Sequence, residues 1–148
     1  MVFSKATGYG IRALAYLARQ SDLHVCGLHE IARSEKIPPP YLRKLLGELR
    51  RHRIVRSVKG IHGGFLLARE PQKVTLWDVF TVLDHDPYMD ECILCRSRDE
   101  NPSCPMCKEW KRMREELVDI LKQKTIADFA ADPGAEPGMH GRHLSRRQ

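Results

Sequence analysis

The chain of 148 residues is the length of one domain and carries a formal charge of +6, with 42% apolar and 30% charged residues. This composition is typical of a water-soluble globular protein. No apolar run approaches the roughly 20 residues that a membrane span needs, and no secretory signal opens the chain, so we expect a cytoplasmic protein that does not enter a membrane. The sequence contains no Ser-His-Asp order and no phosphate loop, which argues against an enzyme.

The charges are segregated along the chain. From Tyr41 to Lys59 seven Lys or Arg residues stand against Glu48 alone, while Leu76 to Glu100 carries seven acids against two arginines. A basic stretch followed by an acidic one favours a nucleic-acid-binding face beside a region that stays off phosphate. A solvated charged surface is the alternative that charge alone leaves open.

The first third of the chain predicts a helix, a break and a further helix. Ser4 is a candidate N-cap for a first helix that ends near Gln20, and a second helix is expected from Leu28 to Lys36. The prolines at 38–40 stop the second helix and can begin a third, because proline is tolerated in a first helical turn. The buried stripe of this third helix is predicted at Leu42, Leu45, Leu46 and Leu49.

The outer face of the third helix carries long cations and small or aromatic residues. In a helix-turn-helix pair the second helix enters the major groove with its N-terminal residues at the base edges. The alternative is an ordinary exposed helix. The predicted DNA-contacting residues here are Pro39, Pro40, Tyr41, Arg43, Lys44, Arg50 and Arg51.

A β-hairpin is predicted next, with strands over 54–58 and 65–68 joined by a glycine-rich turn. A hairpin directly after a helix-turn-helix pair is the wing of a winged-helix domain. Lys59 and His62 are expected to reach a phosphate or the minor groove, while Gly60 and Gly63 let the backbone approach DNA. Each glycine taken singly is also explained as a turn former.

Thr75 begins a fourth helix, which is expected to pack under the wing and to end near His85. A long helix beyond Cys107 carries a narrow apolar seam that suits a partner helix and predicts a homodimer. The seam residues are Trp110, Met113, Leu117, Ile120 and Leu121. A last short helix is expected from Thr125 to Phe129.

The predicted fold is mainly α (α+β). The predicted units are a winged helix-turn-helix DNA-binding domain over 1–85, a cysteine loop over 86–107, a dimerisation helix over 108–130 and a disordered tail over 131–148. The tail is rich in Pro, Gly and Arg, which argues against a packed core there.

Four of the five cysteines form two Cys-x-x-Cys pairs, at Cys92 and Cys95 and at Cys104 and Cys107. Four thiolates suit a 2Fe-2S or 4Fe-4S iron-sulfur cluster, and they suit tetrahedral zinc equally well. A third option is a metal-free dithiol switch at Cys104 and Cys107, whose thiol pKa a helix N-terminus would lower. A thiol oxidoreductase is a remote alternative, because the chain lacks alternating strands and helices. The fifth cysteine, Cys26, is expected to be a small buried residue without a partner.

The order of these parts resembles the IscR/NsrR family of dimeric winged-helix regulators. The resemblance covers residues 1 to about 130, and its most specific parts are the sequence from Gly60 to Ala68 and the cysteine loop before the long helix. It implies a transcriptional regulator that binds double-stranded DNA at imperfect palindromes and carries an iron-sulfur cluster that changes DNA affinity. The sequence departs from the family pattern because Cys107 stands where a histidine ligand is common, and because Gly8 and Arg12 offer no ligand from the first helix. An all-cysteine site is therefore implied.

Overall fold

The computed structural model describes residues 3–20, 23–84 and 91–131. Its helices are α1 (Lys5–Arg19), α2 (Leu28–Glu35), α3 (Pro39–Arg51), α4 (Leu76–Leu83), α5 (Cys107–Gln123) and α6 (Ile126–Ala130). Its strands are β1 (Val55–Val58) and β2 (Gly64–Leu67), followed by a 3-10 turn over Pro71–Lys73. The predicted mainly α fold with one small sheet is confirmed. The predicted tail and the predicted end of the fourth helix at His85 lie outside the described residues.

The helix ends follow from local side chains. The Ser4 hydroxyl accepts a hydrogen bond from the Thr7 N–H at 3.5 Å, which satisfies one of the unpaired donors of the first turn of α1. At the start of α4 the Thr75 hydroxyl accepts from the Asp78 N–H at 3.1 Å, and the Asp78 carboxylate accepts from the Thr75 N–H at 2.9 Å. This reciprocal pair is a capping box, as the sequence indicated.

One apolar core joins the helices of the described chain. Its fully buried members include Leu14 of α1, Ile31 of α2, Leu46 of α3, Val79 of α4 and Ile126 of α6. Burial of each large aliphatic side chain contributes about 1.5 to 3 kcal/mol. The predicted stripe of leucines on α3 is buried along its whole length.

The wing is an antiparallel hairpin in which Val55 pairs with Leu67 and Val58 with Gly64. A short third segment extends it, because Cys26 and Phe65 exchange two backbone hydrogen bonds, at 3.1 and 2.8 Å. A side chain at Gly64 would overlap the Cys26 carbonyl group, so this close approach requires glycine. The wing is thereby attached to the residues just before α2.

The expectation that the fourth helix packs under the wing is wrong. Helix α4 packs mainly against α1, α5 and α3. Gly10 allows the close approach of α1 to α4, since a Cβ there would collide with the Leu83 side chain. The contact also includes a 2.6 Å hydrogen bond from the buried Thr7 hydroxyl to the Asp84 carboxylate.

The seam of α5 divides into two faces. Leu121 is buried in the core of its own chain and Leu117 packs against that core, so the assignment of the whole seam to a partner helix was wrong for these two residues. Met113 and Ile120 stay about half exposed, at 50% and 53%. Helix α6 then folds back onto α1. None of the described helices is long and apolar enough to cross a membrane.

Glu35 at the end of α2 is 2% exposed, and sequence reasoning missed it. Its carboxylate accepts a hydrogen bond from the Arg12 Nε at 3.4 Å and one from the Arg19 Nη2 at 3.1 Å. The Nη2 of Arg12 also donates to the backbone carbonyl oxygen of Glu35. The first two helices of the chain are therefore joined by two ion pairs that share the buried Glu35 carboxylate.

Candidate metal centre and nucleic-acid interface

The four clustered cysteines converge before and at the start of α5. All four Sγ atoms lie within 4.8 Å of one another. Cys92 and Cys107 are buried, and Cys95 and Cys104 are half-buried. Two contacts join the two motifs, with Sγ–Sγ distances of 3.8 Å between Cys92 and Cys104 and 2.9 Å between Cys95 and Cys107. The predicted convergence of four sulfurs on one point is present.

The thiols are not equivalent. The backbone N–H groups of Cys95 and Leu94 face the Cys92 sulfur and lower its pKa to about 7, which favours the thiolate that metal binding needs. The hydrogen bond with the Cys95 thiol raises the pKa of Cys107 to about 12. The expected lowering of a thiol pKa at the start of α5 is not found at Cys107, whose pKa the Cys95 thiol raises.

Distances between sulfurs discriminate between candidate occupants. A tetrahedral zinc ion with bonds of about 2.3 Å to sulfur places its ligands about 3.8 Å apart. The Cys92–Cys104 distance of 3.8 Å matches this spacing, and the Cys95–Cys107 distance of 2.9 Å is shorter than it. An iron-sulfur core spreads its thiolates over two or four irons and needs a wider arrangement. The donor set fits both groups, and a cluster requires the segment before α5 to open.

Trp110 is a second feature of this site. It lines a small cavity together with Cys92 and Cys107. Its indole Nε1 is buried and has no hydrogen-bond acceptor among the described residues. The sequence could have indicated that Trp110 lies beside the cysteines, since it follows Cys107 by three residues and so shares its helix face.

The N-terminal half of α3 presents unpaired cations. Arg43 and Lys44 are exposed, and neither forms an ion pair with another described residue. Pro40 is exposed and Pro39 half-buried, next to them in the first turn. These four residues form one surface at the start of the predicted recognition helix.

Other predicted DNA contacts of α3 are already engaged within the chain. Tyr41 is half-buried, with its ring edge-to-face against Tyr9 at 5.7 Å. Arg51 pairs with Glu48 at 3.0 Å, and the Arg50 guanidinium donates to the Ser57 hydroxyl at 3.4 Å. Tyr41 thus positions the start of α3 as well as being a predicted contact.

The wing tip projects into solvent. Lys59 and His62 are exposed, and Ile61, which the sequence reasoning passed over, is 98% exposed. Gly60 has a φ of 112°, which disfavours any side chain there, and a Cβ at Gly63 would collide with the Val58 carbonyl oxygen. Both glycines are thus required by the turn itself.

Cys26 is completely buried, as expected, but it has neighbours. Its ligand atom lies within 4.8 Å of those of His24 and Glu30. These groups are already satisfied, because Glu30 accepts from His24 at 3.0 Å, from the Tyr16 hydroxyl at 2.8 Å and from the Gly27 N–H at 3.2 Å. Burial raises the pKa of the Cys26 thiol to about 11. Within this group the Glu30 carboxylate caps the start of α2 by accepting from the Gly27 N–H.

A helix-turn-helix pair, a hairpin wing and a long helix beyond a cysteine cluster define the class of winged-helix transcriptional regulators with a candidate metal centre. The family model described as Rrf2, iron-dependent transcriptional regulator, matches residues 3–132. The chain therefore belongs to the Rrf2 family, whose members are regulators and not enzymes.

Relatives and solved structures agree with this assignment. An HTH-type transcriptional regulator of Aquifex aeolicus (strain VF5) is 38% identical over 87% of this chain and 91% of its own length. The structure of CymR, the global cysteine regulator of B. subtilis, matches with a TM-score of 0.72 and 25% identity, over 86% of this chain and 95% of CymR. The structure of T. potens IscR matches with a TM-score of 0.69 and 27% identity, over 85% of this chain and 83% of the IscR chain. The resemblance stated from the sequence is confirmed.

Proposed function

We propose that this chain is a cytoplasmic homodimeric regulator that binds a palindromic DNA operator through α3 and the wing. Its DNA affinity is set by an iron-sulfur cluster held by Cys92, Cys95, Cys104 and Cys107. The observation that carries the proposal is the convergence of all four Sγ atoms within 4.8 Å in a regulator whose family is described as iron-dependent. Four thiolates are the usual ligands of 2Fe-2S and 4Fe-4S clusters.

When bound, such a cluster supplies a group that responds to iron supply, oxidants or nitric oxide. The chain's own residues convert occupancy into DNA affinity. Cys92 and Cys95 precede α5 and Cys107 begins it, while α4 contacts both α5 and the DNA-binding helix α3. A change in the cysteine segment therefore alters how α5 sits on α4, and so the angle between two recognition helices in a dimer. A differential binding free energy of about 1.4 kcal/mol changes affinity tenfold.

A structural zinc ion is the second candidate, because four thiolates also suit tetrahedral zinc and all four Sγ atoms lie within 4.8 Å of one another. Zinc would hold the segment before α5 in one arrangement and would not change oxidation state. A metal-free dithiol switch at Cys104 and Cys107 is the remaining alternative, in which an oxidant removes two electrons and two protons as the thiols form a disulfide.

The metal proposal is tested by anaerobic purification of the full chain with iron, sulfide and zinc analysis. We expect iron and acid-labile sulfide with visible absorption, and the loss of both together with altered operator affinity in Cys104→Ala. Cys26→Ala is the matched control, because it removes a buried thiol outside the cluster and should retain both. Zinc without sulfide would favour the second candidate, and unchanged absorption and affinity in Cys104→Ala would exclude a sensing role.

The DNA face is tested with Arg43→Ala and Lys44→Ala. Loss of a groove contact costs about 1 to 3 kcal/mol of operator affinity, measured by titration at fixed salt. Lys73→Ala is the charge-matched control, because Lys73 is exposed and pairs with Glu70 in the turn before α4. Equal affinity of all three variants would place the DNA face elsewhere.

The dimer is tested at the exposed part of α5. Ile120→Glu places a charge on the apolar face left open by the chain's own core and should shift the mass measured by light scattering from dimer to monomer. The exposed Leu23, which is 92% accessible and far from α5 in sequence, gives the control Leu23→Glu. A wild-type monomer at micromolar concentration would contradict the homodimer.

A further inference from the structure

Trp110 carries a buried hydrogen-bond donor that the rest of the chain does not use. Its backbone N–H donates to the Met106 carbonyl at 2.8 Å, so its main chain is satisfied. Its indole Nε1 is the only buried side-chain nitrogen or oxygen without a partner in the part of the chain that the structure describes. A buried donor without an acceptor is costly, and native proteins seldom keep one without a reason.

The position of the indole indicates what the missing acceptor is. Trp110 follows Cys107 by one helical turn and lines the same cavity as Cys92 and Cys107. The oxygen-bearing side chains that line this cavity do not accept from the indole: Ser97, Asp99 and Glu100. The thiol sulfurs are weak acceptors, and in their compact arrangement none of them accepts from the indole. The acceptor therefore comes with the group that the cysteines bind, or with the outward movement of the sulfurs that binding requires.

We propose that Trp110 donates its indole N–H to a sulfur atom of the iron-sulfur cluster, as a positioning residue that holds the cluster and stabilises its reduced state. The inference rests on the proposed function, and it identifies a group that brings sulfide acceptors of its own. A zinc ion brings no acceptor. A hydrogen bond to a cluster sulfur favours the more negative, reduced form, and residues of this kind tune both affinity and potential.

The test compares Trp110→Phe with wild type in anaerobically purified holoprotein. Phenylalanine keeps an aromatic ring on α5 and removes only the donor. We expect iron release to a chelator to become about 10-fold faster, and the reduced fraction at a fixed potential to fall in a dithionite titration. Trp77→Phe is the matched control, since Trp77 is the other tryptophan of the chain and stacks on Phe80 of α4.

A third measurement detects the hydrogen bond itself. Exchange into D2O should shift the iron-sulfur stretching bands of wild type by resonance Raman spectroscopy, and Trp110→Phe should lose part of this shift. Release rate, reduced fraction and isotope shift that all equal those of wild type would overturn the role of Trp110 and leave the cluster proposal standing. Wild-type protein that holds zinc and no sulfide would instead overturn the iron-sulfur proposal at the first analysis.

Discussion

The winged-helix part of the chain and the cysteine segment are built by different means. Between Lys5 and Leu83 the inward positions are apolar side chains that share one core. Between residue 91 and Met106 there is no helix or strand, and Cys92 is the only buried residue. Leu94 in this segment is 64% exposed. One part is stabilised by apolar burial, while the other is held by local hydrogen bonds, surface ion pairs and the contacts of the four thiols.

This difference suits a sensor. A region with few buried apolar contacts opens at low free-energy cost, whereas a packed core does not. The proposed sensor group is thus placed in the part of the described chain with the least apolar burial, between residue 91 and Met106. The proposed DNA-binding surface lies on the part that shares the apolar core, and α4 connects the two parts through its contacts with α3 and α5.

The largest expected effect is in the core. Leu46→Ala removes a completely buried side chain of α3 and should lower the free energy of unfolding by about 2 to 5 kcal/mol, measured by urea denaturation. Leu94→Ala, at an exposed position of the cysteine segment, should change it by less than about 0.5 kcal/mol. Similar losses of unfolding free energy at Leu46 and Leu94 would contradict the proposed difference between the two parts of the chain.

A polar exception lies inside the stable part. Glu35→Gln removes the charge that Arg12 and Arg19 share at 2% exposure, and should cost about 2 kcal/mol in the same assay. Glu48→Gln weakens the exposed pair with Arg51 and should cost about 0.5 kcal/mol. A larger loss of stability for Glu35→Gln than for Glu48→Gln would show that burial of the carboxylate, and not the ion pair alone, causes the effect.

Metal removal should act on the cysteine segment and spare the core. Treatment of the metal-loaded protein with a chelator is expected to raise the rate of tryptic cleavage after the exposed Arg96 and Arg98 about 10-fold, because a group bound by the four cysteines stabilises the metal-bound arrangement of the segment by mass action. Cleavage sites are mapped by mass spectrometry. Sites within α3 should stay protected, and faster cleavage there would mean that the metal supports the whole fold.

The smallest effect is a pH dependence at the cap of α2. The hydrogen bond with His24 lowers the pKa of Glu30, so its stabilising contribution is present above the unfolded pKa of about 4.3 and is lost as pH falls through the lower folded value. The free energy of unfolding of wild type should exceed that of Glu30→Gln by about 0.5 kcal/mol at pH 7. The two should converge in acid, and a constant gap would show that charge is not the cause.

Several parts of the structure were predictable because their causes are local. A cap at Ser4, a capping box at Thr75 and the prolines before α3 act within one helical turn, so the helices begin where the sequence indicated. The wing follows from turn-forming glycines between two apolar runs. Two Cys-x-x-Cys pairs eight residues apart can reach one point whatever surrounds them.

Other parts depend on which elements meet, and local patterns do not contain that information. Leu121 looks like a residue for a partner helix, but it is buried because α5 packs on α4 of its own chain. Glu35 looks like a solvated charge until α1 brings two arginines to it. The indole of Trp110 became significant only when its donor was found buried beside Cys92 and Cys107. Spacing along the chain determined the helices, the strands and the candidate ligand set. Long-range packing decided burial, thiol pKa and the unpaired indole donor, because these depend on neighbours distant in sequence.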